Sequence, residues 1–250
     1  MPETTAMRVQ LVARTEFLPP ADVAWQTDAE GGDALAEFAG RACYQSWDKP
    51  KAATATNAAF LDHLLQVGHT SVLEHASATF YLTGVSRALA AELGRHRHFS
   101  TSQLSPRWVP EGGPAVVVPH GVAGDPELEA VFARATAAAA QAQQALLDAL
   151  QQRLAAAPGA EQRRRQARQA ARAVLPAAAE TRVVVTGNYR AWRHFVAVRA
   201  TDHADVELRE LAVECLLALT AVAPHAFADF DVTTLPDGSR MASSPYVADS

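Results

Sequence analysis

No stretch restricts the possible folds of this chain more than Arg95 to Trp108, RHRHFSTSQLSPRW. Arg95, Arg97 and Arg107 carry fixed positive charge on planar forks, and His96 and His98 change charge near neutrality. Ser100, Ser102, Gln103 and Ser105 add hydroxyls and an amide that give or accept hydrogen bonds. Such a segment makes a poor core helix and a good anion cradle, so the rest of the chain has to present it. The plain alternative is a solvated helix end. Ser86 to Leu93 has a helical pattern, Gly94 is a stop, and cations just past a helix C-terminus are favoured by the macrodipole.

The core comes from elsewhere. With 250 residues, 49% of them hydrophobic, the chain buries a sizeable core as one domain or two packed lobes. A formal charge of −5 argues against a general nucleic-acid binder. Nearly all positive charge is arginine, with Lys49 and Lys51 the only lysines; coding bias accounts for the total, and the planar fork matters at particular positions. Cys43 and Cys215 stand alone, without CxxC or metal-ligand spacing, as expected in a reducing cytosol. No signal peptide is evident. The longest apolar run, Leu211 to Pro224, is too short to span a bilayer, so the expected location is cytoplasmic, away from membranes.

In chain order, Met7 to Ala13 alternates like a strand, and Asp33 to Cys43 and Ala55 to Val67 carry apolar residues at helical spacing. Gly68 to His75, GHTSVLEH, breaks that pattern with polar groups and is a second candidate ligand loop, although His69 and His75 also suit a plain surface. Ala78 to Val85 reads as a strand, with Ser86 capping the helix that delivers Arg95. Glu92 precedes Arg95 and His96 by three and four residues and pairs with them along the helix. Ala115 to Val118 reads as a short strand, and Pro126 to Ala156 as a long alanine-rich helix.

Glu161 to Val174 is the most basic segment, and Arg165, Arg168 and Arg172 fall within about 60° on one helical face. That stripe suits an anion site, a solvated face, or a nucleic-acid module. Thr181 to Thr186 reads as a buried strand, with Gly187 turning the chain into a helix that carries Arg190, His194 and Arg199. No GxGxxG or GxxxxGK[ST] occurs, so a bound nucleotide needs another cradle. A final helix runs from Asp202 to Val222, a short strand follows within Phe227 to Thr234, and a small, polar tail, mobile or an interface arm, is expected from Pro236. His96-x-His98 lacks a third ligand of convincing spacing, so no metal is expected. No GxSxG elbow points to acyl transfer, and neither cysteine has nucleophile surroundings.

RHR, seven residues, then serine (Arg95 to Ser105) resembles the signature of flavin-dependent thymidylate synthases. The likeness extends to CYQSW at 43–47, GHTSVLEH at 68–75, RRRQARQAARAVLP at 163–176 and GNYRAWRHFVAVRATDHADVE at 187–207, and is closest to members from high-GC bacteria. It implies an α+β fold, a mixed β-sheet flanked by helices with a long helical lobe. It implies one catalytic domain of two packed lobes over 1–235, followed by a flexible tail over 236–250.

The implied reaction is reductive methylation of dUMP to dTMP without a protein nucleophile. Methylenetetrahydrofolate donates the carbon, and FAD reduced by NADPH supplies the hydride. Matched positions imply FAD contacts from Ser71, Arg95, His96, Arg97, Gln103, Asn188, Tyr189, Arg190 and His194. For dUMP they imply Glu92, Leu93, Gly94, Arg95, Gln103, Leu104, Ser105, Pro106, Arg107 and Arg172. Arg199 matches the arginine that polarises the uracil ring, and His69 and His203 border the folate and nicotinamide side. The resemblance also implies a homotetramer with FAD sites at subunit interfaces. Trp108, Pro106, Gly94 and Arg165 depart from the usual residues at their positions.

Overall fold

The computed structural model describes residues 3–49, 51–105, 115–154 and 159–247. Its elements run β1 (Arg8–Arg14), α1 (Gly31–Tyr44), α2 (Asn57–Gln66), β2 (Ser77–Ser86), α3 (Arg87–Leu93), β3 (Ser100–Gln103), α4 (Pro126–Arg153), α5 (Ala160–Ala171), β4 (Glu180–Asn188), α6 (Tyr189–Arg199), α7 (Val206–Val222), β5 (Asp231–Thr234) and β6 (Arg240–Ser243). A four-stranded sheet has the order β1-β2-β4-β3, and β5 and β6 form a separate antiparallel pair. This is the expected α+β class. No helix among the described residues is long and apolar enough to cross a membrane.

Two compact units share the chain, neither of them a continuous stretch. One is drawn from Met1–Arg8, Leu82–Arg95 and Ser102–Val183. In it Ser86 Oγ accepts from Leu89 N at 3.0 Å, so β2 passes straight into α3. Asp125 caps α4 through Glu127 N at 2.9 Å and Leu128 N at 3.2 Å, with Pro126 in the first turn, where it costs no hydrogen bond. Only Thr136 is buried among the 28 residues of α4. α5 turns Ala167 and Ala171 inward, small enough for close packing against α4. The strand expected over Ala115–Val118 is reduced to single bridges of Val116 with Thr4 and Ala179. Its hydrogen bonds divide between two neighbours, Glu3 on one side and Ala178 and Glu180 on the other, and Pro119 bars continuation.

The second unit is drawn from Val9–Tyr81, His96–Thr101 and Val184–Ser250. Phe80, Val185, Trp192, Phe195, Leu211, Cys215 and Leu219 are all fully buried there. α7 presents the expected apolar spacing, and burial pushes the Cys215 thiol far above its usual range. β4 is not buried on both faces as its sequence suggests. Thr181, Val183 and Val185 are buried while Val184 is 38% exposed, the alternation of a strand with one solvent face.

Gly187 does not make a turn; it lies inside β4, and the helix starts at Tyr189. Its role is steric, since a Cβ there would stand 2.5 Å from the Phe99 ring. Part of the segment expected as a tail from Pro236 is strand β6. Thr234 pairs with Arg240 and Asp231 with Ser243, and Ala242 N donates to Ala200 O at 2.8 Å. Arg240 reaches Glu210 and Glu214 of α7, which fixes the start of β6.

Candidate active site

Helix α6 is where the second unit concentrates its polar chemistry. Asn188 Oδ1 accepts from Ala191 N at 2.8 Å, capping the helix and leaving the Asn188 amide nitrogen to donate elsewhere. The 3.6-residue repeat then sends Tyr189, Trp192, Phe195 and Val196 into the core and leaves Arg190 and His194 exposed. Trp192 Nε1 donates to Ala78 O at 3.1 Å, locking the helix onto β2.

Two cavities border this helix. One, of about 590 Å³, is lined by Asn188, Arg190 and His194 with Thr70, Glu74, His98, Arg193, Tyr246 and Val247. The other, of about 660 Å³, is lined by His69, Ser71, Arg41, Cys43, Tyr44, Lys51, His63 and Phe60, and shares Thr70 and Arg190 with the first. Ser71, Asn188, Arg190 and His194, four of the sequence-nominated flavin residues, thus meet on adjoining hollows together with His69. Arg190 pairs with Glu74, both about half exposed, so the pair is worth at most about 1 kcal/mol and yields readily to a better anion. A larger hollow of about 1120 Å³, near Asp28, Asp33 and His225, contains none of the nominated residues.

At the far end of α6, Arg199 Nε donates to His96 Nε2 at 3.0 Å. An accepting imidazole nitrogen carries no proton, so His96 is the Nδ1–H tautomer in this arrangement. The His96 ring stands edge-on to Phe195, with centroids 5.0 Å apart, and near Phe99. Arg97 is exposed beside it.

Tyr189 departs from expectation. Its ring is fully buried in the notch left by Gly32, packs edge-on to Phe227, and lines neither cavity. Its hydroxyl finds no hydrogen-bond partner among the described residues, and burial, with the Asp33 charge, pushes it up to about 12. The apolar face of α6 claims this residue and turns its side chain into the core.

In the first unit, α3 ends with Glu92 Oε1 3.4 Å from Arg95 Nη1, the short-range pairing that the spacing predicts. Leu93 is buried and Gly94 exposed, so Leu93 offers a ligand only its main chain. Gln103 Nε2 donates to Thr181 Oγ1 at 3.2 Å, and Leu104 N to Arg182 O at 2.8 Å, fixing the segment that runs to Ser105. Arg172 sits half-buried in the 3-10 turn after α5. Pro106, Arg107 and Trp108 lie outside the described residues. His203 is 92% exposed on the turn before α7 and lines neither cavity.

Sequence reasoning missed Arg193 and Tyr246 as lining residues, and covered Thr70 and Glu74 only as members of the candidate loop Gly68 to His75. Glu74 meets Arg190 across 116 residues of chain, a pairing no local pattern announces. Among the described residues no group of three or more His, Cys, Asp or Glu is arranged to hold a metal ion.

Comparison with known proteins adds independent findings. The family model described as thymidylate synthase complementing protein matches residues 26–225. Flavin-dependent thymidylate synthases of Mycobacterium marinum and Mycobacterium tuberculosis are each 61% identical over 249 residues, covering 100% of this chain and 100% of the relative. The enzyme of the same description from Mycobacterium avium is 59% identical over the same length. Among solved structures, a UMP/dUMP methylase from Streptomyces cacaoi bound with 5-Br dUMP superposes with a TM-score of 0.68. At 22% identity over 91% of this chain and 96% of that one, it is a likeness of fold.

Proposed function

Because the chain belongs to the flavin-dependent thymidylate synthase family, we propose that its site reductively methylates dUMP to dTMP, with 5,10-methylenetetrahydrofolate as carbon donor and NADPH as reductant of FAD. The observation that carries this reading is the meeting of Ser71, Asn188, Arg190 and His194 on two adjoining hollows that share Arg190.

The donor set suits FAD. Arg190, His194 and His98 offer cationic or donating groups to a pyrophosphate, and Asn188 contributes an amide donor. Arg95, His96, Arg97 and Gln103 complete the contacts in this reading. When bound, FAD supplies the hydride that converts the transferred carbon to a methyl group. For dUMP the binding set is the main chain of Leu93 and Gly94, Glu92, Arg95, Gln103 to Ser105 and Arg172, with Pro106 and Arg107.

Arg199 holds positive charge where the pyrimidine gains negative charge, and His96 orients that guanidinium without competing for its charge. The larger of the two adjoining hollows, with Phe60, Leu64 and Val72 against Arg41, Lys51 and His69, suits an aromatic ring with an acidic tail and is the folate side. The assignment of His203 to the folate and nicotinamide side rests on the resemblance alone. Cys215 is buried and its thiol is held protonated, so this residue offers no nucleophile.

Because the two compact units interleave along the chain, the described residues through Val247 act in this reading as one catalytic domain. We further propose a cytoplasmic homotetramer with FAD sites at subunit interfaces. Helix α4, about 42 Å long, keeps one residue buried and exposes Leu128, Val131 and Leu146, an apolar surface suited to a second copy. Light scattering on purified protein is expected to give four chains, and an active monomer overturns that part. The central test is an absorbance spectrum: yellow protein, bleached by NADPH without oxygen, that converts dUMP to dTMP when folate is supplied. Colourless protein with no affinity for FAD overturns the reading.

A further inference from the structure

The wall of the smaller cavity opposite α6 comes from the last described residues of the chain. Tyr246 and Val247 line it together with Arg190 and His194. They are tied there by a relay that begins inside the protein. Arg193, 2% exposed and on the same helix as Arg190, binds Asp229 with two hydrogen bonds of 2.6 Å. Asp229 accepts from the Ser244 hydroxyl, and Ser244 Oγ in turn accepts from Tyr246 N at 3.1 Å. A hydroxyl has one proton to give and lone pairs to receive, so Ser244 serves both partners at once. The pairing of β6 with β5 anchors this segment from the other side.

We infer that Ser244–Val247 is a built wall of the flavin cavity and that Tyr246 is a further cofactor-binding residue, its ring offering a flat face to an aromatic group of the ligand. This rests on the reading that the cavity holds FAD. The ring, and not the hydroxyl, carries the contact. Among the described residues the hydroxyl reaches Asp62 Oδ1, at 3.4 Å, in an exposed hydrogen bond.

The test is titration of FAD into the full-length apoprotein, followed by quenching of flavin fluorescence, with the thermal midpoint of each apoprotein as a control. Tyr246→Ala is expected to weaken FAD binding about tenfold. Tyr246→Phe is expected to bind like the parent. Ser244→Ala, which keeps the ring but removes its tether, is expected to fall between them. The Tyr246→Ala and Tyr246→Phe apoproteins are expected to melt within a degree or two of the parent, about what a surface substitution gives, whereas Ser244→Ala, which also removes a hydrogen bond to Asp229, is expected to melt lower. Equal FAD affinity in Tyr246→Ala and the parent overturns the inference while leaving the flavin reading intact. A parent protein that does not bind FAD at all overturns both. Loss of affinity in Tyr246→Phe equal to that in Tyr246→Ala overturns the assignment to the ring.

Discussion

Arg199 and His96 form a directional pair: the guanidinium Nε donates to the imidazole Nε2 across 3.0 Å, joining positions 103 residues apart in the chain. The arginine is half-buried at the last turn of α6, where the helix C-terminus favours a cation. Fixing the fork in one orientation before a ligand arrives is electrostatic preorganisation.

Arg199→Ala is therefore expected to lower kcat for dTMP formation by about 100-fold or more while FAD absorbance is retained. Arg199→Lys keeps the charge but loses the planar fork and its hold on His96, and is expected to recover only a small part of the rate. Single-turnover kinetics with the visible spectrum checks both, and full turnover in Arg199→Ala would remove the role assigned to it.

A second expectation concerns stability. Glu37 is fully buried in α1 and accepts from Arg41 Nε at 2.6 Å, Thr27 Oγ1 at 2.6 Å and Asn57 Nδ2 at 2.9 Å, with Lys49 at 3.5 Å. Arg41 is itself 2% exposed and lies over the Phe60 ring. Glu37→Leu leaves that guanidinium charged and unpaired inside the protein and is expected to cost about 3–5 kcal/mol. Urea denaturation reads this directly, and a loss under about 1 kcal/mol would show that the network contributes little.

Asp229 gives a pH dependence with a definite sign. Burial pushes its carboxyl up, but hydrogen bonding and charge from Arg193, with help from Ser244, outweigh that and hold it below the ordinary 3.8. A carboxyl with a lower pKa folded than unfolded adds stability above its unfolded value and loses it as pH falls through the folded one. The stability gap between the parent and Asp229→Asn is expected to stay level from about pH 8 to 5. It should narrow only below about 3.8. Thermal unfolding across that range checks it; a gap that narrows near neutrality would be inconsistent with the Arg193 pairing.

Elements with a strong local signal were legible in the sequence, and contacts between distant residues were not. Ser86 reads as a helix start and does cap α3, because a short polar side chain before an apolar repeat satisfies the first amide groups; the last helix, expected from Asp202, starts at Val206 with Asp205 as its cap. The grouping of Arg190 and His194 followed from helical periodicity alone. Strand β6, RMAS, has little strand character of its own and exists because β5 offers it edge hydrogen bonds. Tyr189 looked like a ligand residue from its neighbours in the motif, yet the notch at Gly32 takes its ring into the core. Motif membership nominated the residues; packing decided which of them line the two hollows.

Gly187 is the sharpest instance, and it yields the last expectation. A turn glycine tolerates alanine poorly because of its backbone angles, whereas a glycine inside a strand is limited by what a Cβ would meet. At 187 a Cβ would stand 2.5 Å from Phe99 Cε1, 2.6 Å from Cδ1 and 3.2 Å from Trp192 Nε1. Phe99 packs at a 40° tilt on Trp192 with centroids 4.3 Å apart and also lies near His96, so a displaced ring moves the acceptor that orients Arg199. Gly187→Ala is thus expected to cost about 1–3 kcal/mol from overpacking and to lower kcat more than it raises KM for dUMP. Phe99→Leu makes room for the added methyl, so the Gly187→Ala, Phe99→Leu double variant should be more stable than the sum of its parts. Simple additivity in the double-mutant cycle would mean that the methyl and the ring do not meet, and that backbone conformation limits this position instead.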